Sequence, residues 1–374
     1  MSAPRKDYLD ISMSIQKYAP EFLRSGCLLT PSQENFILGW GDILRTDRPV
    51  VGKLSIYAPD FFLKDARPWW VYSNQLTVSR SELSRSLRVF LADSKDFFSE
   101  LKWELPKFEN FEAAFLDLQS LFKAGTLKKA VPVIFERAKF EIGIAEKAAL
   151  LTSLIDRTAN LPLNPYGVWN QPGPEGSGEG ILGATPELLF QKDSHGFSTV
   201  ALAGTRLKGS PHPPILQDPK ELSEHQWVID GICSSLTPLG SVRVGKTEEM
   251  ELPTFSHLIT PIRFETEADF EKIVQCLHPT PALGAFPKAE GLRWLESYSQ
   301  GLDRWRFGAP FGAIDRSGQT QCWVAIRNLM WKEAGLSLGA GCGVIPASEL
   351  NREWKELQAK IQSVKSWFIS DAKK

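Results

Sequence analysis

The chain has 374 residues, 43% hydrophobic and 23% charged, the balance of a globular protein rather than a disordered one. Lys and Arg number 43 against 44 Asp and Glu, a net charge of -1, which excludes binding nucleic acid or an anionic membrane through bulk charge but leaves room for a local anion pocket. Cys27, Cys233, Cys276, Cys322 and Cys342 are scattered with no C-x-x-C pair, which excludes a disulfide framework or zinc cage. Residues 1–10 are polar, without the apolar core of a signal peptide, and no apolar run is long enough to span a bilayer. The expectation is a cytoplasmic protein with neither a membrane nor a nucleic-acid partner.

Residues 1–105 carry weak patterns and no recognisable chemistry. Residues 126–137 (TLKKAVPVIFER) predict a strand, with Pro132 marking an edge or bulge. Whichever of Lys128 and Lys129 points inward is expected to have its pKa lowered by desolvation and to serve as a base near neutral pH. Alternation does not choose between them, and two lysines at an exposed strand end are the alternative. The Gly- and Pro-rich residues 171–180 predict a loop. Residues 180–191 and 196–204 predict the two strands of a hairpin that turns at 193–196.

Asp218, followed by Pro219 and by Glu221 three residues on, predicts the start of a helix reaching about residue 235. Its buried face is expected to hold Leu222, Ile229, Ile232 and Leu236, with Glu221 and Glu224 one turn apart. Residues 311–314, 322–331 and 336–344 predict an antiparallel meander with turns at 315–318 and 332–335. In the middle strand Arg327 falls on the face of Trp323, Ala325 and Leu329, and a charge there needs an anion, from a protein carboxylate or from a ligand. Residues 338–345 (LGAGCGVI) follow, where Gly339, Gly341 and Gly343 permit close backbone approach. The last helix is predicted over 348–369. Trp354, Leu357, Ile361 and Val364 form its apolar stripe, and Glu353, Glu356 and Lys360 border that stripe. Acids on two helices are either solvated surface charges or oxygen ligands of one Mg²⁺. Hairpins and a meander with helices between them indicate an α+β fold in which large antiparallel sheets are layered with helices.

Six motifs occur in order between residues 127 and 360: the lysine strand, ILGATPELLF (181–190), ALAGTRLKG (201–209), KELSEHQWV (220–228), LHPTPALGAFPK (277–288), and AIRNLMW (325–331) with AGCGVIPASELNREWKELQAK (340–360). By these the chain resembles the chorismate-utilising enzymes, whose members include anthranilate synthase component I, isochorismate synthase and salicylate synthase, and within them it is most similar to isochorismate synthase. The resemblance implies a chorismate-binding sandwich: one body over 1–374, with a divergent N-terminal part (1–105) and a catalytic region (106–374).

It also implies Mg²⁺-dependent addition of water at C2 of chorismate with loss of the C4 hydroxyl. Lys129 would be the base, with Lys128 its rival because the family's lysine strand has no proline where Pro132 stands. Glu187 would be the acid. Glu224 and Glu356 resemble the Mg²⁺ ligands, with Glu221 and Glu353 near the same ion. Arg327, Lys360 and the backbone at Gly341 and Gly343 resemble the clamp on the substrate carboxylates, and Gly204, Thr205, His257 and Ala282 line the pocket. Ala203 stands where aminodeoxychorismate synthases carry a lysine nucleophile, and residues 278–284 resemble the water-using branch. The implied protein is a monomer needing no glutaminase subunit, its product destined for menaquinone or for siderophore and salicylate synthesis. The alternatives are a salicylate synthase, an anthranilate-type aminating enzyme, or a non-catalytic chorismate-binding relative.

Overall fold

The computed structural model describes residues 11–32, 34–91, 97–171, 178–194, 196–209 and 213–369. Residues 1–10, most of the predicted 171–180 loop and His195 in the 193–196 turn lie outside them. The chain begins with α1 (Ile11–Arg24), β1 (Gly26–Leu29), β2 (Asn35–Thr46), β3 (Ser55–Tyr57) and β4 (Trp69–Ser79), then α2 (Arg80–Leu87), α3 (Phe97–Glu100) and α4 (Phe108–Lys123). Next come β5 (Lys129–Ala130), β6 (Val133–Lys139), α5 (Ile144–Arg157), β7 (Asn164–Asn170), β8 (Glu179–Thr185), β9 (Leu188–Asp193) and β10 (Gly196–Leu207). They lead into α6 (Pro219–Leu236), β11 (Val242–Val244), β12 (Glu248–Glu251), β13 (Phe255–Phe264), α7 (Phe270–Leu277), β14 (Ala285–Phe286) and α8 (Lys288–Tyr298). The chain finishes with β15 (Pro310–Ile314), β16 (Thr320–Val324), β17 (Asn328–Lys332), β18 (Gly335–Gly341) and α9 (Leu350–Lys365).

Sixteen strands join one antiparallel sheet in the order β11-β13-β10-β9-β16-β15-β3-β4-β2-β1-β7-β8-β17-β18-β6, with β12 beside β13; β5 and β14 form a separate pair. This is the expected fold: large antiparallel sheets layered with helices. β1, β3, β7 and β8 are buried on both faces, whereas β11 and β12 at the sheet end are largely exposed. Along β8 and β17, Ile181 and Met330 enter one core while Leu182, Leu329 and Trp331 enter the other. The first core lies inside the curled sheet, where Tyr166 of β7 meets Phe311 of β15, five strands away in the sheet order, at 4.8 Å between ring centroids. The second joins the outer face to α4, α5 and α9 through residues such as Phe115, Leu151 and Leu357.

Several elements depart from the sequence expectation. The 180–191 strand is two strands, β8 and β9, broken at Pro186 and Glu187; the hairpin that follows is β9 with β10. Residues 322–331 also divide, because Ala325–Arg327 leave the ladder and Arg327 turns to φ +54°. The predicted meander is therefore two hairpins, β15–β16 and β17–β18, whose inner strands pair with β9 and β8 and not with each other. Arg327 sits at the kink, so strand alternation does not orient it. The lysine strand breaks at Val131 and Pro132, where proline cannot donate to the ladder. The final helix ends at Lys365, short of 369.

Candidate active site

The breaks at Pro186–Glu187 and Ala325–Arg327 open onto one cleft. Its walls include Glu187 from the β8–β9 break, Arg327 from the β16–β17 break, Ala203 and Thr205 from β10, His257 from β13, Ala282, Gly341, Gly343, Glu224 of α6 and Lys360 of α9. A bulge in β10 at Gly204, φ +72°, lets Thr205 face inward and brings the backbone against α6.

The structure chooses between the two lysines. Lys129 is fully buried, whereas Lys128 is exposed with its ammonium over the Phe286 ring. Lys129 Nζ donates to Pro281 O at 2.8 Å and lies 3.2 Å from Glu224 Oε1. The preceding residue, Thr280, donates from its hydroxyl to Glu187 Oε1 at 3.4 Å. Consecutive residues of one segment therefore hold the amine and the carboxyl. Burial raises Glu187 to about 7, against the pull of Lys129, the Thr280 hydrogen bond and Lys360.

The four helix acids are not solvated. Asp218 caps α6, accepting from Lys220 N at 3.0 Å, so Glu221 lies in the first turn and does not reach back to complete a capping box. Instead Glu221 accepts from Thr205 N at 2.8 Å and from Arg352 of α9 at 2.6 Å. Glu221 and Glu353 are almost completely buried and Glu224 nearly so, while Leu222, expected inside, is 38% exposed. The first turn of α6 thus turns its acids inward, near the positive ends of both helix dipoles. Glu356 pairs with Lys360 at 2.6 Å, and Lys360 also donates to Gly341 O at 2.8 Å. Burial, helped by Glu224 and Glu356, raises Glu221 to about 7. Burial would raise Glu224 as well, but Lys129 and Lys220 outweigh it and hold that carboxylate at about 2.

Lys220 supplies much of this balance. Its ammonium lies 3.0 Å from Glu353 Oε1 and 3.3 Å from both Glu221 Oε1 and Glu224 Oε2. Among the described residues no group of three or more His, Cys, Asp or Glu side chains is arranged to hold a metal as it stands. The fit of a divalent ion rests on the donors: buried carboxylates from two helices already surround one cation, and hard oxygen donors suit Mg²⁺.

Arg327 is buried with its guanidinium over Phe255, 5.1 Å from the ring centroid, and has no side-chain hydrogen bond or ion pair among the described residues. Burial lowers its pKa to about 10, and Glu356 pulls the other way from a distance. His257 Nδ1 lies 3.2 Å from Thr205 Oγ1 and 3.3 Å from Gly204 O, and its buried Nε2 has no partner. Burial, with the nearby Arg327 and Lys360, pushes this imidazole well below its usual range, so it is neutral.

Sequence reasoning missed Lys220, Arg352, Thr280 and Pro281. Lys220 and Arg352 each adjoin a singled-out acid in the chain, which was the available signal. Thr280 and Pro281 act through one hydroxyl and one carbonyl, and no pattern marks such contacts.

The chain is similar to known proteins over much of its length. Residues 173–368 match the family described as Chorismate binding enzyme. The chain is 31% identical over 196 residues to the salicylate biosynthesis isochorismate synthase of Pseudomonas aeruginosa, covering 50% of this chain and 41% of that protein. It is 30% identical over 276 residues to isochorismate synthase EntC of Escherichia coli K12, covering 64% of this chain and 69% of EntC. The chain thus spans well under half of the first relative and about two thirds of the second. The fold is shared with DhbC from Bacillus anthracis at TM-score 0.74 and 22% identity, covering 96% of this chain and 100% of that one.

Proposed function

This chain belongs to the chorismate-binding enzyme family, and from that membership we propose that it is an isochorismate synthase, adding water at C2 of chorismate and expelling the C4 hydroxyl. One observation carries the reading: the consecutive residues Thr280 and Pro281 hold the Glu187 carboxyl, which lines the cleft, and the Lys129 amine, which pairs with the cleft residue Glu224. Lys129 takes a proton from the attacking water. Glu187, whose buried carboxyl stays protonated to about pH 7, gives its proton to the departing hydroxyl. One water enters and one leaves, so the reaction is an isomerisation.

Among the described residues Arg327 has no ion-pair partner, which suits it to a substrate carboxylate, with Lys360 and the backbone at Gly341 and Gly343 beside it. Gly204, Thr205, His257 and Ala282 shape the wall against the ring, and the neutral His257 offers Nε2 as an acceptor to a substrate hydroxyl. Mg²⁺ would be held by Glu224 and Glu356 with Glu221 and Glu353 around them, and when bound it neutralises the ring carboxylate. Ala203 offers no amine nucleophile, which argues against the aminodeoxychorismate synthase route, and residues 278–284, similar to the water-using branch, support water as the attacking group.

The test is to incubate the purified protein with chorismate and Mg²⁺ and identify products by chromatography and NMR. Isochorismate alone is the expected result. Salicylate with pyruvate, an aminated product when ammonia is supplied, or no turnover would each overturn it.

A further inference from the structure

Lys220 has no task in the chemistry set out above, yet it sits at the centre of the acid cluster. It meets Glu353 of α9 at 3.0 Å and Glu221 and Glu224 of α6 at 3.3 Å, with its side chain only 10% exposed. Its ammonium donates a hydrogen bond to Glu224 Oε2 and ion-pairs with the other two carboxylates. Lys220 thus engages Glu224, one of the two carboxylates assigned to the divalent ion, together with Glu221 and Glu353 beside it. Two cations a few ångströms apart repel each other strongly in a desolvated site, so an ammonium and a dication cannot share these oxygens. The lysine stem is flexible enough to carry its charge elsewhere.

We propose that Lys220 is the resident counter-ion of this cluster and is displaced when a divalent cation binds. Metal loading is then an exchange of an ammonium for Mg²⁺, not the filling of an empty cage. The inference rests on the reading that Mg²⁺ belongs to this site. In the metal-free protein the lysine keeps buried acids of two helices from repelling one another, and its displacement weakens the apparent metal affinity. Lys220 is thus a positioning residue for the acids and a competitor for their ligand.

The experiment titrates Mg²⁺ into the full chain without substrate, by calorimetry, for wild type, Lys220→Met and Lys220→Arg, and records Tm in EDTA and in saturating Mg²⁺. The Met variant should bind Mg²⁺ at least about tenfold more tightly, about 1.4 kcal/mol. It should melt below wild type in EDTA and recover most of the difference with Mg²⁺. The Arg variant, which keeps the charge, should bind more weakly than the Met variant. Equal or weaker Mg²⁺ binding by the Met variant would overturn the exchange while leaving the metal reading intact. No binding by any of the three would overturn both. Should the Met variant not fold, a wild-type crystal structure with Mn²⁺ decides. Lys220 Nζ displaced beyond about 4 Å from Glu353 supports the exchange, and retention of that ion pair overturns it.

Discussion

Glu187 and Lys129 are chemically opposed groups held by the adjacent residues Thr280 and Pro281, and the two are separable by substitution. Glu187→Gln keeps the shape and removes the proton to be donated, so turnover should fall by about 10²–10⁴ while chorismate affinity changes by less than about threefold. Steady-state kinetics with equilibrium binding checks this, and near-normal turnover would remove Glu187 as the acid. The amine is tested by contrast: Lys129→Ala should cost at least about 10² in kcat, whereas Lys128→Ala, altering an exposed lysine over Phe286, should leave kcat within about twofold. Equal mild effects would show that the base is elsewhere.

The raised Glu187 pKa also fixes the sign of a pH effect. Its acidic form is the active one, so kcat/KM should decline as pH rises through about 7. Thr280 stabilises the ionised form through its hydrogen bond, so Thr280→Val should move that limb to higher pH. The same burial bears on stability. A carboxyl whose pKa is raised by folding is destabilising once the pH exceeds its unfolded value, so Glu187→Gln should stabilise the protein at pH 8 and have little effect at pH 4.

At the level of elements, the site is assembled where regular structure stops. The breaks at 186–187 and 325–327 face one cleft, to which α6 brings Glu224 and α9 brings Lys360. This explains what could be read in the sequence and what could not. The capped start of α6 was legible because Asp218, Pro219 and Glu221 signal it locally. The strand breaks were not, because 322–331 alternates acceptably as one strand and only pairing with β9 and β8 pulls it into two. The inward acids were also opaque to periodicity, since Leu222 suggests the opposite buried face. Order and spacing of motifs across the chain marked Glu187, Glu224, Arg327 and Lys360, where local pattern left each ambiguous.

Two substitutions probe this level. A Cβ added at Gly343 would stand 1.9 Å from Glu224 Oε1 and 3.0 Å from Lys129 Cε. Gly343→Ala should therefore break the Lys129–Glu224 pair and abolish turnover, with a fold still intact by circular dichroism; normal activity would contradict the packing described. Asp218→Ala removes the α6 cap and should lower stability by about 0.5–2 kcal/mol in urea denaturation.

Over the whole molecule, the strands that looked least informative join the two ends of the sheet. β1 to β4 occupy the middle of the order, between β15 and β7, so residues 1–105 link the β10–β13 region to the β8–β18 region. Trp69, Trp70 and Phe36 are among the largest fully buried side chains there. A fragment of 106–374 should therefore fail to fold and fail to bind chorismate. A soluble, cooperatively melting fragment that still binds would show that the N-terminal strands are dispensable.

In the proposed reaction water attacks one carbon of the ring while the hydroxyl leaves from another, between Lys129 and Glu187. Turnover of chorismate in ¹⁸O-labelled water, followed by mass spectrometry and NMR of the product, is the decisive measurement. One solvent oxygen in isochorismate, located at C2, is the expected result. A product carrying only its original oxygens would mean that the hydroxyl migrated without exchange, and the assignment of base and acid would fall with it.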